Sequence, residues 1–183
     1  MFDWREREHE DVDRKILNNP PGMDALRNCG LVKFFEVPAM RAQPGLLENL
    51  IGLWDAYQRF FRVGTHILAL EIDDIYFLTG LSRRRETINL VDKQSSRVST
   101  EALLVEHGRD GAILKGGKIV ITDINGLPLR AILYTITRAT GSASCHQASK
   151  AHMLCAIECM ESRVFNWCDA LLRNMHSQLT KCR

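Results

Sequence analysis

QASKAHMLCAIECMESRVFNWCDALLRNMHSQLT, residues 147–180, contains neither proline nor glycine. Those are the two residues that most readily stop a helix, proline by a missing amide and a ring clash, glycine by backbone entropy. The stretch predicts one long helix, or two broken near Ser162. Just upstream, LPLRAILYTITRATG (127–141) puts proline in its first turn and glycine at its end. That is the order in which the two residues favour the start and stop of a helix. Together these segments make the expected fold mainly α, an α+β helical domain with a few short strands in hairpins.

The rest of the chain fits around this helical half. STEALLVEH (99–107) predicts a helix capped by Ser99 or Thr100. GAILKGGKIVITDING predicts a hairpin turning at Gly116-Gly117. MDALRNCGLVKFF predicts a short helix stopped near Gly30, and VPAMRAQPG a linker. In LLENLIGLWDAYQRFF (46–61), Leu46, Leu50, Leu53, Trp54, Tyr57 and Phe61 recur at helical spacing, which predicts one long helix. THILAL (65–70) predicts a strand. DDIYFLTGLSRRRE (73–86) then opens with two acids at a helix start. Ile75, Phe77 and Leu78 are expected in the core, with Thr79-Gly80 as the stop. Residues 82–98 are polar and predict a loop.

Residues 1–22 predict a charged N-terminal helical arm. Glu10 with Arg14 and Asp11 with Lys15 stand four apart in the favourable order, and NNPPG ends the helix. Residues 23–183 are expected to form a single globular domain. The 183 residues, 45% of them hydrophobic and 25% charged, suffice for a core without metal or disulfide staples. The net charge of +2 lacks the basic excess usual in dedicated DNA-binding domains. No apolar run approaches the ~20 residues that cross a bilayer, so no membrane association is expected. Residues 1–15 are charged where a signal peptide would be apolar. The expected location is nuclear, or alternatively cytoplasmic, with the six cysteines as free thiols.

Five chemistries are weighed on this sequence. A phosphate loop needs lysine directly after the second glycine and then Ser or Thr; here Gly117 intrudes before Lys118 and Ile119 follows. Zinc takes Cys and His, and Cys145, His146, His152, Cys155 and Cys159 lie close together. On a helix 152, 155 and 159 share a face, so Cys145, His152, Cys155 and Cys159 are the candidate ligands, against a reading as packed thiols. Asp73 and Asp74 point about 100° apart on a helix and suit capping better than acid–base work. No nucleophile motif of the hydrolase or cysteine-protease kind is present. Arg83, Arg84, Arg85, Lys93 and Arg97 make 82–98 locally basic and form the candidate nucleic-acid contact. With no catalytic constellation, neither an enzyme nor a cofactor is expected.

ALRNCGLVKFF, LLENLIGLWDAYQRFF, THILALEIDDIYFLTGL and VFNWCDALLRNMHSQL together resemble the plant mobile domain family, a transposon-derived group some of whose members carry an "aminotransferase-like" label. The similarity spans roughly residues 24–183 and matches poorly over 82–126. Its signature positions are Trp54, Asp73, Asp74, Ile75, Leu78, Gly80, Leu81 and Trp167. Two features depart from the family pattern: Glu71 stands where a threonine often caps the signature helix, and Arg83-Arg84-Arg85 where a glycine often follows. The resemblance implies a helical domain and a nuclear, non-enzymatic protein-interaction module in transposon silencing or gene-expression control. It implies protein partners, a phosphatase-like one among them. The alternative is a nucleic-acid-binding accessory protein using 82–98.

Overall fold

The computed structural model describes residues 14–36, 43–140 and 146–182. A helical turn at 14–17 precedes α1 (Pro20–Asn28) and a 3-10 turn (Val32–Phe35). Next come α2 (Pro44–Leu53), β1 (Trp54–Asp55), β2 (Phe60–Val63), β3 (His66–Ala69) and α3 (Ile72–Thr79). Then follow α4 (Leu90–Gln94), α5 (Thr100–His107), β4 (Ile119–Val120), a 3-10 turn (Ile121–Asp123), α6 (Leu127–Ala139), β5 (Gln147–Ala148), α7 (Lys150–Met160) and α8 (Trp167–Cys182). The fold is mainly α with short antiparallel strands.

α6 is the centre of the packing. Leu129, Ala131, Ile132, Leu133, Tyr134, Ile136 and Ala139 are buried along it, and α1, α7 and α8 pack against it. Its buried threonines do not leave orphan hydroxyls. Thr135 donates to the Ala131 carbonyl and Thr137 to that of Tyr134, each at 2.8 Å. The 147–180 stretch takes the two-helix form. Ser162 adopts a left-handed φ of 65° between α7 and α8. Phe165 then bridges to Glu86, and the Asn166 side chain accepts from the Asp169 amide at 3.0 Å to cap α8.

Several elements differ from expectation. The helix expected over 46–61 ends at Leu53, and the chain becomes the three-stranded meander β1-β2-β3. The cause is local. The Asp55 carboxylate accepts the amides of Tyr57 (3.1 Å) and Gln58 (2.9 Å), a side-chain turn that competes with helix. Arg59 completes the turn at φ 58°. Trp54 and Phe61, seven apart, meet as cross-strand partners with ring centroids 5.0 Å apart. A spacing that suits one helix face also suits a hairpin pair.

The prolines of NNPPG end the preceding helical turn but also begin α1, occupying its first positions while Asn19 accepts the Gly22 amide at 3.0 Å. The boundary expected at residue 22 therefore falls inside a helix, and Ile16 of the expected arm is buried in the core. Residues 1–13 of that arm, and residues 37–42 of the expected linker VPAMRAQPG, lie outside the described residues; the linker's Pro44 and Gly45 begin α2. The Gly116-Gly117 turn forms, with Lys115 and Lys118 exchanging backbone bonds of 3.0 and 3.1 Å. Past the turn the hairpin is not continued: Ile119–Val120 pairs with Gln147–Ala148 instead. The expected loop 82–98 contains α4, which packs on α7, and a buried Ile88.

Candidate functional site

Of the positions that carry the resemblance, Ile75 and Leu81 lie in the seam between α3 and α8, whereas Asp73, Asp74, Leu78 and Gly80 are exposed. Ile75 and Leu81 are buried. Thr79 donates back to the Ile75 carbonyl at 2.6 Å, and Gly80 ends the helix at φ 68°, its amide bonded to the Tyr76 carbonyl at 2.8 Å. The chain then runs beside α8: Cys168 donates to the Leu81 carbonyl at 3.1 Å. Trp167, fully buried, donates its indole N–H to the Cys29 carbonyl at 2.8 Å. Trp54, also fully buried, donates to Thr180 at 3.3 Å and lies 5.2 Å from the His176 ring.

The two acids have separate duties. Asp74 accepts the Glu71 amide at 2.8 Å and so caps α3. Asp73 pairs with Arg83, whose guanidinium sits 4.3 Å over the Tyr76 ring. Phe77 and Leu78, expected in the core, are 78% and 71% exposed. An eight-residue helix packed along one side leaves its remaining face in solvent, and only Ile75 of the apolar run reaches the interior.

The five basic residues do not form one open surface. Lys93 binds Glu158 at 2.6 Å and lies 5.6 Å from the Phe165 ring centroid. Arg163 binds Glu158 at 3.2 Å and also pairs with Glu86, which raises its pKa, Glu86 contributing first. Arg83 is held by Asp73. Arg84, Arg85 and Arg97 remain exposed. The segment is further anchored by Lys150 on the Ser96 carbonyl (2.9 Å) and Arg173 on that of Ile88 (2.8 Å).

The candidate metal ligands do not converge on one site: Cys155 and Cys159 adjoin each other, but His152 does not join them. Cys145 lies outside the described residues, and among those described no cluster of His, Cys, Asp and Glu could hold a metal ion. His152 turns instead to the α7 N-terminus. Its Nδ1 lies 2.6 Å from the Ser149 hydroxyl, its Nε2 2.9 Å from that of Thr140. Thr140 already donates to the Ile136 carbonyl at 2.7 Å, so it accepts from an Nε2–H. Nδ1 is then the acceptor for the Ser149 amide at 3.3 Å. Burial and the nearby Lys118 charge lower the His152 pKa to about 4. Cys29, Cys155 and Cys159 are buried free thiols. Cys159 is pushed up by hydrogen bonding to Cys155 and to Cys29 and by burial, which keeps it a neutral thiol.

What sequence periodicity missed is the exposure of many large apolar side chains between residues 46 and 78. α2 buries none of its residues; Leu46, Leu47 and Leu53 are 53%, 50% and 37% exposed. Tyr57 on the β1–β2 turn, Ile67 and Leu68 of β3, and Phe77 and Leu78 of α3 continue the series. Monomeric proteins scatter exposed apolar residues singly, whereas runs of them mark interaction sites. The signal available in the sequence was the density of large apolar residues over 46–78, more than one small meander and two short helices can cover. Comparisons with protein-family models, with curated proteins and with solved structures returned no match.

Proposed function

We propose that this chain is a non-enzymatic protein-interaction module of plant-mobile-domain type, nuclear, and acting in transposon silencing or gene-expression control. The partner is a protein, and the family resemblance points to a phosphatase-like one. It docks on the surface made by α2, the β1-β2-β3 meander and α3. One observation carries this reading: Leu46, Leu47 and Leu53 of α2, Tyr57, Ile67 and Leu68 of the meander, and Phe77 and Leu78 of α3 are exposed on consecutive elements, while Trp54, Phe61 and Ile75 between them are buried. Such a surface gains free energy on burial at roughly 25 cal/mol per Å², and aromatic anchors such as Tyr57 and Phe77 are frequent centres of binding energy.

The reading as a nucleic-acid accessory keeps only Arg84, Arg85 and Arg97 of its five bases, since Arg83 and Lys93 are held in ion pairs. The immobilised chain in plant nuclear extract separates the two. A protein partner held by apolar contact stays bound as salt rises and is lost with the combined Ile67→Ser and Phe77→Ser changes. Capture that falls steeply with salt and survives those changes, failing instead with Arg84→Gln and Arg85→Gln, would contradict it.

A further inference from the structure

A cavity of about 250 Å³ opens between the 14–17 turn, α1, the 3-10 turn at Ile121–Asp123 and the start of α6. Ile16, Leu127 and Ala131 supply an apolar wall, and Lys15, Asn19, Thr122 and Arg130 the polar groups. No acidic side chain is among its described lining residues. Arg130 stands out among the partly buried cations. Its Nε is sealed from solvent and has no hydrogen-bond partner, although a buried polar group without one is costly. Other partly buried cations in the structure have theirs: Lys93 has Glu158, Arg83 has Asp73, Arg173 has Asp169. Burial lowers the Arg130 pKa, and the charge of Arg109 lowers it further.

We infer that this cavity binds a small oxyanion, a phosphate or carboxylate on a compact apolar body, with Arg130 as its fork and Lys15 adding charge. A planar guanidinium presents donors at the spacing of two oxygens of one such group. The volume lies just below the roughly 300–1,000 Å³ of ordinary ligand pockets, which limits the ligand to a compact one. The apolar wall of Ile16, Leu127 and Ala131 suits a short hydrocarbon or ring. The site is independent of the docking surface proposed above, which uses α2, the meander and α3.

The test is a thermal-unfolding titration of the full chain at constant ionic strength, with inorganic phosphate in one arm and benzoate in the other. The expected result is a saturable rise in Tm with at least one of them, because a ligand of the folded state alone stabilises it. A phosphate response without a benzoate one assigns a phosphate group; the reverse assigns a carboxylate on an apolar body. The rise is lost in Arg130→Gln and retained in Arg84→Gln. Should Arg130→Gln fail to fold, Arg130→Lys replaces it; keeping the charge but losing the fork, it is expected to weaken binding by about fivefold or more. Absence of a saturable shift with both probes, or affinity unchanged by the Arg130 substitutions, would overturn the inference.

Discussion

His152 is a neutral imidazole by construction. Its Nδ1 faces the Ser149 amide as an acceptor, so a second proton there would oppose one N–H to another. With the folded pKa at about 4 against an ordinary 6.5, the unfolded chain binds the extra proton first as pH falls. Stability from this group is therefore complete above pH 6.5 and declines as pH falls from there toward 4, by about 3 kcal/mol in all. His176, lowered by burial and by Arg59, acts in the same direction. Urea unfolding at pH 7 and pH 4.5 checks this: His152→Gln should lose less stability over that interval than the parent chain. On α3, Ile75→Ala should cost about 2–5 kcal/mol, while Phe77→Ala, Leu78→Ala and Arg84→Ala should each stay within about 0.5 kcal/mol. Equilibrium denaturation of the four variants would expose a wrong burial assignment directly.

Elements were legible where their ends carry their own chemistry. Pro128 at the start of α6, Ser99 before α5, whose hydroxyl accepts the Ala102 amide at 3.0 Å, and Gly80 after α3 mark boundaries found in the structure. Apolar spacing alone was less informative. Trp54 and Phe61 satisfy a helical period and a hairpin register equally, and the choice rests on Asp55 capturing two amides of the turn. Nor does spacing reveal how much of a short helix its neighbours will cover, which is why Phe77 and Leu78 read as core. The 82–98 segment looked like a solvated loop because the groups that fix it, Glu158, Arg163 and Phe165, lie far along the chain. Gly80 offers a test at this scale. A Cβ there would meet only Lys33 side-chain carbons at 3.6 and 3.8 Å, an ordinary contact. Gly80→Ala should therefore cost only the left-handed backbone penalty of about 1–2 kcal/mol, measured as a fall in the urea midpoint.

At the scale of the whole molecule, burial is uneven among the described residues. α1, α6, α7 and α8 share a core sealed by Trp167, Phe165 and the buried thiols, whereas α2 and β3 bury none of their residues. The mainly α architecture follows from the chemistry of residues 127–180. The uncovered surface was not legible there, since a pattern of apolar residues does not say whether the chain itself or a partner covers them. The most direct measurement is site-specific photo-crosslinking in plant nuclei. A crosslinker is placed in turn at Ile67, at Phe77 and at Val105, the last being 87% exposed on α5. Docking through α2, the meander and α3 predicts one protein adduct shared by positions 67 and 77 and missing at 105. The same adduct at all three positions, or none specific to 67 and 77, would contradict it.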